Sequence, residues 1–177
     1  MSIGLKLSPF IVCLFGGLMA WFGFGAKAEM TEDSIQKKIE KVFPQAEQMD
    51  LSTFRDLKLK NQVVVIDVRG QEEFELSHIE GAQNLISAES IKMIAESHPQ
   101  QKVVLYCSVG YRSSDLAQRC SEMGLRNVFN LKGSIFAWAN AGHEVYTLDS
   151  MGEKKKTKFV HPYNAKWGKL LNEAYHP

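Results

Sequence analysis

Lys102-Val-Val-Leu-Tyr-Cys107-Ser-Val-Gly-Tyr-Arg112-Ser113 changes character halfway along. Its first half is an apolar run rich in β-branched residues, without the alternation of a half-wet strand, so it reads as a central strand buried on both faces of a parallel sheet. From Ser113 to Met123 the period becomes helical, with Leu116, Ala117, Cys120 and Met123 on one face and Gly124 as a C-cap. Gln62-Val-Val-Val-Ile-Asp-Val68 is a second run of the first kind, and Val128-Phe-Asn-Leu131, ahead of Lys132-Gly133, is a weaker third. Helical patterns alternate with these runs: one capped at Ser52 and carrying Phe54, Leu57 and Leu59, one from Glu89 to Ser97, and one from Ser134 to Ala141 closed by Gly142. Strand and helix alternating at this spacing predict a doubly wound α/β sheet, with its cleft at the carboxyl ends of the strands.

The chain has 177 residues, 45% hydrophobic and 23% charged, enough to bury one core and incompatible with wholesale disorder, a collagen-like repeat or a disulfide knot. Lys and Arg number 21 against 20 Asp and Glu, so nothing global points to nucleic acid. The balance is uneven along the chain. Residues 29–150 carry 13 basic against 18 acidic groups, while 151–177 carry six against two, giving an acidic body and a basic tail.

Leu7 to Ala26 is a run of twenty residues without a charge, preceded by Lys6 and followed by Lys27-Ala28. A lysine, an apolar stretch and an Ala-x-Ala site form the pattern of a secretory signal, with cleavage expected after Ala28 and the mature chain periplasmic. A run of this length also suits an uncleaved anchor facing the periplasm. Residues 29–48 read as a leading amphipathic helix with Ile35, Ile39 and Val42 in register, ending before Pro44. Cleavage leaves Cys107 and Cys120, which an oxidising compartment would pair if their geometry allowed. No Cys-x-x-Cys or His-rich spacing suggests zinc, and neither a metal nor a cofactor is expected.

A cysteine between a strand and a helix has the loop amides and the positive end of the helix aimed at its sulfur. Those groups favour the thiolate, the nucleophilic form. Gly110 lets the loop curl round the sulfur without a Cβ clash. Arg112 adds a fixed charge for an anionic substrate.

The segment Cys107-x-x-Gly-x-Arg-Ser113, with Ala117 after it, resembles the active-site loop of the rhodanese-type sulfurtransferases. Val65-Ile-Asp67-Val-Arg69, Glu72-Glu-Phe74 and His78-Ile-Glu-Gly81-Ala-Gln-Asn84-Leu upstream, then Leu131-Lys-Gly133 and Ala137-Trp138-x-x-Ala141-Gly142 downstream, resemble that family's other segments in order and spacing. The resemblance covers about 49–148. It implies a five-stranded parallel sheet flanked by helices on both faces, and transfer of a sulfane sulfur through a persulfide on Cys107. Ser108, Val109, Gly110, Tyr111, Arg112 and Ser113 would form the substrate cradle, supported by Asp67 and Arg69. The donor would be thiosulfate or another small anionic persulfide source, and the acceptor cyanide or a thiol. The runner-up is a non-enzymatic persulfide-carrying or redox-sensing module. The cell-cycle phosphatases resemble the same fold but set their arginine one residue farther from the cysteine, whereas four residues separate Cys107 from Arg112. Ser108 and Val109 stand where some thiosulfate-using relatives are basic. Ser134 replaces the second glycine of a frequent pair, and Glu144 a frequent proline; both are expected to be tolerated turn changes.

Several residues have plainer readings. Asp67 fits an ion pair with Arg69 or a turn cap as well as it fits a loop support. His78 is a turn residue, since an ionised sulfur nucleophile needs no base. Cys120 is core packing before it is a resolving thiol, and Trp138 is core. Glu153-Lys-Lys-Lys-Thr-Lys158 reads as a basic linker to an aromatic extension over 149–177 that packs back on the body. Lining the cleft with Tyr163 and Trp167, or meeting a protein partner or an anionic membrane surface through Lys154–Lys156, are the alternatives.

Overall fold

Strand β2 (Val63–Asp67) and strand β4 (Lys102–Tyr106) lie side by side in parallel, Val63 opposite Lys102 and Asp67 opposite Tyr106. Successive residues of a strand face opposite ways, and in both strands nearly every residue is buried, so layers cover both faces of the sheet. The computed structural model describes residues 30–149 and 151–177; the expected leader over 1–28 lies outside the described residues. With β1 (Gln48–Met49), β3 (Gln83–Asn84) and β5 (Val128–Leu131), the two runs make a five-stranded, all-parallel sheet in the order β1-β5-β4-β2-β3. The three apolar runs are strands as expected. The two edge strands carry no readable period.

That strand order positions the site. From β2 the chain moves outward through helix α3 (Gln71–Leu76) to β3, then crosses by α4 (Ala88–Ser97) to β4; from β4 it moves outward the other way through α5 (Tyr111–Glu122) to β5. The loops leaving β2 and β4 therefore diverge, and a crevice opens between them at the carboxyl ends of the strands. The strands end level, the Val68 N–H donating to the Tyr106 carbonyl at 3.0 Å.

The other helices are α1 (Glu32–Val42), α2 (Leu51–Leu59) and α6 (Ser134–Asn140). The leading helix lies within 29–48 and ends before Pro44 as expected, and Gln48 at the end of that segment already belongs to β1. Ile35 and Ile39 are buried as read, but Val42 is 42% exposed and Phe43 takes its place in the core, because the chain leaves helical geometry at that residue. Helix α2 is capped by Asp50, which accepts from the Thr53 N–H at 2.8 Å and from the Ser52 hydroxyl at 2.6 Å, rather than by Ser52. Met123, expected on the apolar face of α5, follows the last turn and is exposed.

The largest departure is at the tail. Lys154–Thr157, read as a linker, is strand β7, antiparallel to β6 (Val145–Leu148) in a separate hairpin. The hairpin joins the body through a bridge between Tyr146 and His78. Lys154, Lys155 and Lys156 pair with Glu80 at 2.8 Å, Asp149 at 2.6 Å and Glu144 at 2.6 Å. Glu144, read as a tolerated change, is thus one of the acids that compensate the lysine run. Beyond the hairpin the chain returns to the body as expected: Val160 and Leu171 are buried, and Asn140 of α6 holds the Leu170 carbonyl at 2.8 Å and the Asn172 N–H at 2.9 Å.

Candidate active site

Cys107 is the first residue after β4 and is 1% exposed. The chain turns back at Gly110, whose φ of +104° is open to glycine alone, and this turn brings the Gly110 N–H to 3.2 Å from the Cys107 sulfur. A side chain there would also come within 3.3 Å of Asn130 and of Ile39. Helix α5 starts at the next residue, so its positive end faces the sulfur. Burial pushes the thiol up, but the Ser113 hydroxyl, the Arg112 charge and the Ser113 and Gly110 amides outweigh it and hold the thiol below its ordinary 9.0. The Ser113 hydroxyl has one proton and two calls on it, since Asn130 Oδ1 also accepts it.

The residues behind Cys107 fix where it stands. Its N–H donates to Ser134 Oγ at 3.1 Å, and that hydroxyl donates to the Leu131 carbonyl at 3.2 Å. The Cys107 and Ser108 carbonyls accept from the Ile135 and Phe136 amides at 3.2 and 3.1 Å. Ser134 is therefore more than a tolerated replacement for glycine. It keeps the left-handed backbone of the position, with φ 54°, and adds the acceptor for the N–H of Cys107.

Arg112 differs from expectation. Instead of standing free for a donor, its guanidinium grips Glu73 of α3 through two bonds of 2.8 Å and donates to Ser108 Oγ at 3.1 Å. This fork closes the crevice between the β2 and β4 loops. Burial would push the Glu73 carboxyl up, but the bonds and charge of Arg112 prevail and hold it down. The guanidinium still helps to ionise Cys107, yet its charge is already compensated. The Tyr163 ring covers it, with the guanidinium carbon 4.7 Å from the ring centroid.

A pocket of about 120 Å³ opens beside Cys107, lined by Cys107, Ser108, Val109, Tyr111, Arg112, Tyr163 and Trp167. Tyr111 leans edge-on against Phe43 at 4.9 Å. Gly110 and Ser113 reach the sulfur from behind this lining. The cradle residues read from the sequence come together, and Glu73, Ser134, Tyr163 and Trp167 join them. Glu73 was legible only as part of a helical motif, and the tail aromatics only as one of several alternatives.

Asp67 and Arg69 lie elsewhere. They form a fully buried pair at 2.7 Å, and Arg69 also donates to the Ser77 carbonyl. Asn84 Nδ2 donates to the carbonyls of Asp67 at 3.0 Å and Arg69 at 2.8 Å, so the pair secures the turn that leads to α3 rather than the cysteine loop. His78, read as a turn residue, instead bridges Tyr146, its ring stacked on Phe74 and its Nδ1 2.9 Å from the Phe74 carbonyl. Trp138 is core, edge-on to Phe54, with Nε1 donating to the Glu144 carbonyl at 2.8 Å. Cys120 is fully buried, and burial together with Glu89 pushes its thiol up to about 11. Cys107 sits beside Gly110 at the start of α5, and the helix rises about 14 Å from Tyr111 to Cys120, well beyond disulfide reach; both thiols are free.

The rhodanese-like domain model matches residues 50–141. A thiosulfate sulfurtransferase GlpE of Coxiella burnetii is 31% identical over 83 residues, 47% of this chain and 78% of that protein. A GlpE of Shewanella oneidensis is 30% identical over 100 residues, 51% of this chain and 98% of its own. In fold, the chain is similar to a thiosulfate sulfurtransferase from Pseudomonas aeruginosa, with a TM-score of 0.56 and 20% identity over 78% of this chain and 26% of that one. The segment matched by the domain model begins at the cap of α2 and ends as α6 closes, taking in the whole crevice but not the aromatic tail, and within it the chain belongs to the rhodanese-like domain family.

Proposed function

We propose that the protein is a sulfurtransferase that carries a sulfane sulfur on Cys107. The observation that bears most weight is the Cys107 sulfur beside a pocket, 3.2 Å from the Gly110 N–H and at the head of α5, with its thiol held low. In the first half-reaction the Cys107 thiolate attacks the outer sulfur of a donor such as thiosulfate. The donor's S–S bond breaks, its electron pair leaves with sulfite, and Cys107 becomes a persulfide anion. In the second, cyanide or a thiol attacks the outer sulfur and the pair returns to Cys107, so cyanide gives thiocyanate and the thiolate is restored. Charge is conserved in both steps, and the amides that hold the thiolate also hold the terminal sulfur of the persulfide.

Thiosulfate with cyanide is the direct assay. Thiocyanate should form with the wild-type protein and fall to background with Cys107→Ser; undiminished turnover by that variant would overturn the reading. Loading of Cys107 without turnover by any acceptor would make the chain a persulfide carrier instead. The same reading takes residues 1–28 as an export signal, which predicts that exported protein begins at Glu29 on N-terminal sequencing; an intact start would make it an anchor. Among the described residues no helix is long and apolar enough to cross a membrane.

A further inference from the structure

Resting on that reading, we propose that the C-terminal extension is part of the substrate site, and that Tyr163 and Trp167 select a singly charged sulfane donor bearing a small apolar group, of the type R–S–S⁻ or R–SO₂–S⁻. Both residues lie outside the segment matched by the family model, yet they line the pocket beside Cys107. Val109 and Tyr111 line the same pocket, so three aromatic residues and a valine join Ser108 and the paired Arg112 in the lining beside Cys107. Walls of this kind reward apolar surface on the ligand and give little to the oxygens of a compact dianion.

The charges point the same way. Glu73 compensates Arg112 through two bonds of 2.8 Å. Beyond that pair, Lys38 and Lys166 lie 5.8 Å from the ring centroids of Tyr111 and Trp167, while Glu72 and Glu75 line a cleft of about 670 Å³ that shares Tyr163 with the pocket. The pocket lining itself therefore brings no uncompensated positive charge to hold a second negative charge.

Tyr163 is held for this position. Its φ is +63°, a conformation that non-glycine residues adopt at a cost and that collects at functional sites. The surrounding chain enforces it: the Tyr163 N–H donates to His161 Nδ1 at 3.0 Å, and the His161 N–H donates to Ser77 Oγ at 3.3 Å. Val160 and Leu171 anchor the segment on either side. A loose tail would leave a 47% exposed tyrosine free to relax; this one is pinned with its ring on Arg112.

Thiosulfate and benzenethiosulfonate test the inference, since both present a terminal sulfur on a sulfonyl group and differ in one oxyanion against one phenyl ring. The Cys107 thiolate takes the terminal sulfur of either; the S–S electron pair leaves with sulfite or with benzenesulfinate, and cyanide unloads the persulfide in both cases. For the wild-type protein kcat/KM should favour benzenethiosulfonate by about tenfold or more, the size of effect that a few apolar contacts give. Tyr163→Ala with Trp167→Ala should reduce that ratio about tenfold, chiefly through KM for the aryl donor, while Tyr163→Phe should retain it. Melting curves and the near-UV spectrum check that the double variant is folded; if it is not, the two single variants serve. Equal or better use of thiosulfate by the wild type, or a ratio that the folded variants leave unchanged, would overturn the inference while leaving the sulfurtransferase reading standing. Failure of both donors to load Cys107 would overturn both.

Discussion

Cys107 and Cys120 stand at opposite ends of α5, both buried and both free, and the chain treats them in opposite ways. Cys107 meets the amide end of the helix, a turning loop and a guanidinium, and its thiol is held low. Cys120 lies in the last turn, where the helix presents carbonyls and α4 presents Glu89, and its thiol is pushed up to about 11. Burial acts on both in the same direction. What separates the two thiols is therefore the hydrogen-bond donors and charges that face each sulfur, not depth.

Removing the sulfur of Cys107 is the most severe way to break the comparison: Cys107→Ser should reduce thiocyanate formation by roughly 10⁴-fold or more, as expected for loss of a covalent nucleophile. Gly110→Ala should come next. Its φ of +104° and the contacts at 3.3 Å force the loop to move, taking an amide away from the sulfur, and a loss of about 10²-fold in kcat is expected. Ser113→Ala leaves the loop in place but removes a hydroxyl that stabilises the thiolate. The sign is fixed by the chemistry: an acid whose charged form loses a partner titrates at higher pH. The pH profile of Cys107 alkylation, whose midpoint in the wild type should lie below 9.0, should move to higher pH, with the rate at neutral pH falling severalfold. Cys120→Ala should change least, leaving turnover within about twofold and lowering stability by about 1 kcal/mol as a buried sulfur is lost. A tenfold loss of turnover with Cys120→Ala would erase the distinction.

The same contrast explains what the sequence discloses. Three strands are legible because each is an unbroken apolar run, and the cysteine loop because the residues that shape it are consecutive. The edge strands Gln48–Met49 and Gln83–Asn84 are too short to show a period. The lysine run resembles a linker because the acids that pair with it, Glu80, Glu144 and Asp149, come from several parts of the chain. Arg112 looks free for the same reason: Glu73 lies 39 residues away and reaches it only because the strand order opens the crevice between their loops. Ser134 looks neutral as a replacement for glycine because its value lies in a bond to an N–H 27 residues earlier.

If Cys107 carries sulfur and Cys120 does not, mass spectrometry of the cysteine peptides will separate the two thiols. After incubation with a sulfane donor, the peptide containing Cys107 should gain the mass of one sulfur atom, lose it on addition of cyanide, and leave the Cys120 peptide unchanged. No gain on Cys107, or a gain on Cys120 instead, would contradict the account.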